Sequence, residues 1–145
     1  MSQRGRRIAF DYGDARTGVA VSDPDGILAT PLTTLQSKNP ALMKQIKELF
    51  EEIQPIHIYV GLPKLMSGEN GTAVAKAELF AEKLSTITDV AISFVDERLS
   101  TVSAANQLRE SGRNALQSKS LIDAAAAVSI LEQGLRISRS RESEQ

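Results

Sequence analysis

Four acidic residues of this chain occur where solubility alone does not explain a carboxylate. Asp11 follows the apolar run IAF, Asp96 and Glu97 follow the apolar run VAISFV, and Asp123 interrupts the helical pattern SLIDAAAAVSIL. A carboxylate that enters a core must be hydrogen-bonded, paired or bound to a metal, because desolvating it alone costs several kcal/mol or more. These acids are therefore the first candidates for chemistry.

A cluster built from Asp11, one acid of the Asp96-Glu97 pair and Asp123 would favour divalent cations. Mutual repulsion would raise the pKa values of such carboxylates unless cations were bound. Mg²⁺ prefers a few carboxylates together with water and phosphate oxygens. Two such ions about 4 Å apart hold the attacking and leaving oxygens of phosphodiester hydrolysis. The acids thus predict metal-assisted hydrolysis that needs no histidine or cysteine nucleophile.

Each acid also has a structural explanation, and the sequence leaves these alternatives open. The first is a hairpin loop in which Asp11 or Asp14 accepts backbone hydrogen bonds and Gly13 adopts positive φ. The others are a solvated loop with a surface pair between Glu97 and Arg98, and an i, i+4 ion pair of Asp123 with Lys119.

The hydrophobic pattern predicts an α/β domain that would position these acids. We expect strands over 8–11, 16–22, 27–35, 56–63 and 90–97, and helices over 40–54, 72–85, 100–110 and 120–135. The antiparallel hairpin at the start and the later alternation of strands and helices indicate a mixed five-stranded sheet flanked by helices. Residues 1–135 form one domain in this interpretation, and residues 136–145, with one apolar side chain, form a disordered tail.

The predicted sheet decides which acids can meet. Ligands of open α/β sheets bind at the carboxyl ends of parallel strands, where Asp11 and the Asp96-Glu97 pair are expected. Because side chains alternate along a strand, Asp96 and Glu97 face opposite sides of the sheet. Only one of them can therefore share a site with Asp11.

Composition excludes several classes of protein. The chain has no cysteine, which excludes disulfides and thiolate metal sites, and its single histidine, His57, argues against a zinc centre. His57 is expected to be a partly buried structural residue. Seventeen basic and eighteen acidic residues give a net charge of −1, which argues against a general nucleic-acid coat protein but allows a local basic patch. No run approaches the roughly twenty apolar residues of a membrane span, so we expect a cytoplasmic protein without a membrane partner.

A few residues near the predicted sheet edge could contact a phosphate backbone. Lys64 precedes a glycine-rich loop, and Arg98 follows Glu97. Arg16 carries a guanidinium group suited to phosphate, although it could equally form an ion pair with Asp14 or Asp23. Gly61 is expected mainly to turn the chain sharply beside the site. Because aromatic residues are few, recognition should rest on backbone and shape rather than on base stacking.

Four segments carry a resemblance to a known family: IAFDYGDARTGVAVSD, YVGLPKLMSGENG, FVDERLST and KSLIDAAAAVSILE. Together, and in this order, they resemble the motif regions of the YqgF (RuvX) family, which is similar to Holliday-junction resolvases of the RuvC type. The resemblance implies an RNase H-like fold and a nuclease that processes the 5′ end of pre-16S rRNA. It also implies that Asp11, Glu97 and Asp123 are catalytic and bind Mg²⁺ or Mn²⁺, and that Asp96 has a structural role.

Other functions remain open at this point. The same acids could cut branched DNA, normally as a symmetric dimer, or the surface could bind ribosomal RNA as a non-catalytic assembly factor. The D-x-G-x-x-x-x-G start also occurs in the actin and sugar-kinase class, but those proteins need two such domains, and this chain has the length of one. Neither the preference for RNA or DNA nor the choice between monomer and homodimer follows from the sequence.

Overall fold

The computed structural model describes residues 4–63, 71–97 and 115–143, and in the last helix it describes the side chains from Ala124 to Arg139. The elements are β1 (Arg7–Tyr12), β2 (Arg16–Ser22), β3 (Ala29–Gln36), α1 (Leu42–Ile53), β4 (His57–Leu62), α2 (Thr72–Ser85), β5 (Ile92–Asp96) and α3 (Ala115–Ser143). The predicted helix over 100–110 lies outside the described residues.

The described strands form one five-stranded sheet in the order β3-β2-β1-β4-β5. Strand β2 runs antiparallel to both β1 and β3, whereas β1, β4 and β5 are mutually parallel neighbours. A short turn is enough to join antiparallel strands, while the parallel strands β1, β4 and β5 need helical crossovers. The predicted mixed α/β sheet is therefore confirmed, with β1 at its centre.

The edge strand β3 begins two residues later than the pattern predicted. The Asp23 carboxylate accepts hydrogen bonds from the backbone N–H groups of Ile27, at 2.7 Å, and Leu28, at 2.9 Å. These bonds hold Ile27 and Leu28 in the turn, and both side chains are exposed. Pro31 lies on this edge strand beside a shift in the β2–β3 register, which agrees with its expected place at an edge or bulge.

Alternating side chains of the central strand build two separate cores. Ile8 and Phe10 pack with α1 and α2 on one face of the sheet, which we call the α1/α2 face. Ala9 packs on the other face, the α3 face, whose core is Ala9, Ala20, Tyr59, Val95, Ala127, Ile130, Leu131 and Leu135. By the same alternation, Asp11 belongs to the α3 face and Tyr12 to the α1/α2 face, where its ring stacks on Phe80 at 4.7 Å.

The last helix continues through Ser143, so the prediction of a disordered tail from residue 136 is wrong. The hydroxyl groups of Tyr59 and Ser138 are hydrogen-bonded at 2.6 Å, and Nη1 of Arg139 donates to the carbonyl oxygen of Gly26 at 3.1 Å. Polar side chains that looked like solvated tail residues thus bind specific partners in the domain. None of the described helices, α3 included, has the length and hydropathy to cross a membrane.

Candidate active site

Asp11 lies on the central strand between two glycines. It pairs across the antiparallel ladder with Gly18, and the parallel register of Phe10 with Val60 puts Gly61 beside it on β4. Neither neighbour has a side chain, and the space over Gly61 is occupied by the side chains of Glu97 and Ile130. Gly26 is the positive-φ glycine of the described residues, and Gly13 is not one. The interpretation of Asp11 as a turn residue with Gly13 at positive φ is therefore wrong.

The end of β5 separates Asp96 from Glu97 as strand alternation predicts. Asp96 pairs in register with Leu62, which packs against the α1/α2 face, whereas Val95 belongs to the α3 face. Glu97 returns to the α3 face. Its Cγ and Cδ atoms lie 2.9 Å from the point that a Cβ atom of Gly61 would occupy. Glu97 is thus the acid of this pair that shares a face with Asp11.

Asp11 and Glu97 form a hydrogen-bonded carboxyl pair. Burial is the main cause that raises the pKa of Glu97 to about 9, and the hydrogen bond with Asp11, its charge and the charge of Asp96 raise this pKa further. A carboxyl group with such a pKa is protonated at neutral pH. Burial and the hydrogen bond with Asp11 thus favour the protonated form of Glu97, in which its carboxyl group can donate to Asp11.

The donor chemistry of this pair fits a divalent cation such as Mg²⁺ or Mn²⁺. Both groups offer only oxygen atoms as ligands, and their side chains are hydrogen-bonded to each other on one face of the sheet. Burial and the neighbouring carboxyl groups raise the pKa of Glu97, and a divalent cation bound between Asp11 and Glu97 would favour their charged forms in place of the proton. Asp11 and Glu97 are the described residues that would hold the metal.

The remaining predicted site residues lie partly outside the described structure. Asp123 belongs to α3, but its side chain is outside the described residues, as are Lys64 and Arg98. The part of the chain that is described contains no group of three or more metal-binding side chains, so the third ligand remains a prediction.

Arg16 begins β2 and is partly buried, and its backbone carbonyl accepts a 3.0 Å hydrogen bond from Gly13. Of the two acids weighed as its partners, Asp14 forms an ion pair with Lys76 at 2.7 Å and Asp23 holds the β2–β3 turn. Lys76 also lowers the pKa of Asp14 by its hydrogen bond and charge. A phosphate contact for Arg16 remains a prediction.

His57 has the structural role that the sequence predicted. Its Nε2 atom lies 2.7 Å from Oγ of Ser93, and its ring stacks on Tyr59 with centroids 4.5 Å apart. His57 begins β4 and therefore lies at the opposite end of the parallel strands from Asp11 and Glu97.

A cleft of ≈ 260 Å³ beside the end of β1 does not contain the carboxyl pair. Its lining is Tyr12, Gly13, Asp14, Thr72, Ala73 and Lys76. Tyr12 belongs to the α1/α2 face, so this cleft opens on the side of α2, whereas Asp11 and Glu97 meet on the α3 face. The exposed Asp14–Lys76 pair lines the cleft, and an ion pair so open to solvent contributes little to stability.

Sequence reasoning missed the two glycines that frame Asp11. Gly61 was expected to turn the chain, but it is a residue of strand β4, and Gly18 was not singled out. A glycine inside an apolar strand pattern is a signal of close approach by another group. The identity of that group depends on the strand register, which the sequence does not show.

Comparison with known protein families gives a match over nearly the whole chain. The family model described as "RuvX: Holliday junction resolvase" matches residues 5–137. A relative from Streptomyces avermitilis, named "Putative pre-16S rRNA nuclease", is 47% identical over 139 residues, covering 94% of this chain and 89% of the relative. A relative of the same name from Nocardia farcinica is 48% identical over 138 residues, covering 89% of this chain and 76% of the relative.

Solved structures share the fold. RuvC from T. thermophilus in complex with a Holliday junction substrate has a TM-score of 0.57 at 12% identity, covering 93% of this chain and 96% of that chain. A second Thermus thermophilus RuvC structure has a TM-score of 0.51 at 14% identity, with the same coverage. These likenesses confirm the predicted RNase H-like fold.

Proposed function

The chain belongs to the RuvX family, and we propose that it is a metal-dependent nuclease that hydrolyses phosphodiester bonds of pre-16S rRNA. The observation that carries this proposal is the hydrogen-bonded pair of Asp11 and Glu97 at the carboxyl ends of β1 and β5. Open α/β sheets bind their ligands at this edge. The names of the relatives from Streptomyces and Nocardia support the substrate.

Asp11, Glu97 and Asp123 are the proposed catalytic residues and ligands of Mg²⁺ or Mn²⁺. Asp123 precedes Ala127 by four residues and Ile130 by seven, and both of these residues pack on the α3 face. Positions separated by four and seven residues recur on one side of a helix. Helical periodicity therefore supports Asp123 as the acid that completes the site from α3.

When bound, the metal would activate water and stabilise the charge that develops on the phosphate oxygens. The chain's own part is to hold the carboxylates in place. The β1 ladder fixes the backbone of Asp11, and the side chain of Glu97 reaches it over Gly61. Before it can bind a cation, Glu97 must lose the proton that it donates to Asp11, so binding should release a proton to solvent.

Substrate contacts are proposed for Arg16, Lys64 and Arg98. Arginine can bind phosphate oxygens in a bidentate manner, and lysine binds them as a point charge. With a net charge of −1, the chain has no general attraction for nucleic acid, so these few cations would locate the backbone beside the carboxyl pair. An rRNA substrate supports the cytoplasm as the site of action, where no membrane partner is needed. The protein would act there as a monomer or a homodimer.

The second candidate is a DNA endonuclease that resolves Holliday junctions. The description of the matched family favours it, because that description names this activity. The same carboxylates could cut either polymer, since two-metal hydrolysis acts on the phosphodiester group that RNA and DNA share.

A cleavage assay with both substrates tests the proposal. Purified protein is incubated with 5′-labelled pre-16S rRNA or a labelled four-way DNA junction, with EDTA, Mg²⁺ or Mn²⁺. We expect cleavage of the rRNA that requires a metal, is lost in Glu97→Gln and persists in the matched variant Asp96→Asn. Cleavage of the junction but not of the rRNA would support the second candidate. Binding of the rRNA without cleavage under either metal would favour a non-catalytic assembly factor.

A further inference from the structure

Glu97 must cross one strand to reach Asp11. Strand β4 lies between β5 and β1, and neighbouring strands are about 4.8 Å apart, so the two acidic residues are separated by about 10 Å of sheet. Even so, their side chains are hydrogen-bonded. The side chain of Glu97 therefore lies over β4 rather than pointing away from the sheet.

Gly61 is the residue of β4 over which Glu97 passes. A Cβ atom at Gly61 would lie 2.9 Å from both Cγ and Cδ of Glu97, and it would also overlap Cδ1 of Ile130 from α3. Carbon atoms that are not bonded lie about 3.5 to 4.0 Å apart at their best separation. Even the smallest side chain at this position would therefore displace Glu97, Ile130 or both.

The backbone of Gly61 does not itself require glycine. Among the described glycines, positive φ occurs at Gly26 and not at Gly61. Glycine also weakens a strand interior, because it adds entropy to the unfolded chain and packs no side chain. The reason for glycine at this position is thus the space above it, which Glu97 and Ile130 occupy.

We propose that Gly61 is a positioning residue for the carboxyl pair, because its missing side chain gives Glu97 a path across β4 to Asp11. The expected loss of metal binding rests on the proposed function, because a displaced Glu97 could not share a cation with Asp11. The competing explanation is that Gly61 only makes room for Ile130 and so for the packing of α3.

A double variant separates the two explanations. Ile130→Val removes Cδ1, the atom that a Cβ at residue 61 would overlap, but leaves the contact with Glu97 unchanged. We expect Gly61→Ala/Ile130→Val to melt in EDTA at the temperature of Ile130→Val alone. Its Mn²⁺ affinity, measured by calorimetry, should nevertheless fall about 10- to 100-fold, the loss typical of changes to groups that orient metal ligands. An unchanged Mn²⁺ affinity would overturn the proposal.

Gly134→Ala is the matched control. A Cβ at Gly134 would lie 2.6 to 2.8 Å from the ring of Tyr59, which belongs to the same interface between α3 and the sheet. This variant should lower the melting temperature without changing Mn²⁺ affinity. Equal losses of affinity in Gly134→Ala and in the double variant would mean that loosening α3 is sufficient, and would overturn the role of Gly61.

A measurement on the unaltered protein covers the case in which the double variant does not fold. In EDTA, a nuclear Overhauser effect between the α protons of Gly61 and the γ protons of Glu97 should be observed, and its absence would overturn the proposal. If the wild-type protein bound no Mn²⁺ but showed this contact, the proposed metal site would be wrong while the placement of Glu97 by Gly61 would stand.

Discussion

Asp11 and Glu97 form a buried carboxyl pair in which the protonated form of Glu97 is favoured. Burial and the neighbouring carboxylate favour the neutral form of Glu97, so its pKa lies far above the ordinary value of 4.5. Such an arrangement is unfavourable for a residue with only a structural role, because an apolar side chain would avoid the desolvation. The arrangement is consistent with a pair of metal ligands whose negative charge is compensated by a bound cation.

This proton makes the stability of the metal-free protein depend on pH. Between the ordinary pKa of 4.5 and the folded value of about 9, the folded state binds a proton at Glu97 that the unfolded state releases. The free energy of unfolding should therefore fall as pH rises through this window. Urea unfolding in EDTA at a series of pH values measures it. The decline should be much smaller in Glu97→Gln, and equal slopes in the two proteins would contradict the shared proton.

The sequence pattern singles out the candidate acids but does not show how they meet. Alternation along the run ending in Asp96 and Glu97 was enough to assign them to opposite faces, because that rule is local. The contact between Glu97 and Asp11 depends on β4 lying between their strands and on Gly61 at the crossing. Both features are properties of strand order and register, which involve residues far apart in the chain.

At the level of elements, the end of α3 differs most from its prediction. Residues 136–143 have the composition of a solvated tail, yet the helix continues, and Ser138 and Arg139 bind Tyr59 and Gly26. Composition reports the average tendency of a segment, whereas these hydrogen bonds depend on which groups of the sheet lie under the helix. The amphipathic pattern of α1, by contrast, predicted a helix whose buried residues include Ile46 and Ile53.

Removal of residues 136–145 should destabilise the protein. Truncation after Leu135 deletes the partner of the buried Tyr59 hydroxyl, and a polar group left without a partner costs about 1 to 3 kcal/mol. Urea unfolding should show a lower midpoint for the truncated chain. Ser138→Ala is the matched control and should account for a large share of the loss. Identical midpoints for the full and truncated chains would restore the interpretation of this segment as a disordered tail.

In the whole molecule, the aromatic core and the candidate site lie on opposite faces of one sheet. The α1/α2 face holds the aromatic core, where Phe10 packs edge-to-face on Phe50 and Phe80. The α3 face carries small and aliphatic side chains around Tyr59 at its centre and the carboxyl pair at the end of β1. The central position of β1 thus lets one strand contribute to both cores and present Asp11 at the site.

The near-neutral charge of the molecule limits how it can hold RNA. If Arg16, Lys64 and Arg98 are the phosphate contacts, the logarithm of the binding constant should fall with the logarithm of salt concentration at a slope of about −2, since each contact to a single strand contributes about −0.7. Binding of labelled rRNA to the cleavage-deficient Glu97→Gln variant measures this slope. Arg16→Ala should reduce its magnitude by about 0.7.

Arg4→Ala serves as the control for this slope. Arg4 pairs with Asp25 at the start of β1, the opposite end of that strand from Asp11. Its removal should leave the slope unchanged. Equal effects of Arg4→Ala and Arg16→Ala would indicate diffuse attraction to the whole surface rather than a contact beside the carboxyl pair.

If a divalent cation replaces a proton held between Asp11 and Glu97, metal binding must release that proton to solvent. Calorimetric titration with Mn²⁺ at pH 7, repeated in buffers of different ionisation enthalpy, counts the protons released per ion bound. We expect release of close to one proton per Mn²⁺ ion from the wild-type protein and from Asp96→Asn, and greatly weakened Mn²⁺ binding by Glu97→Gln. Mn²⁺ binding without proton release, or binding that survives in Glu97→Gln but not in Asp96→Asn, would contradict it.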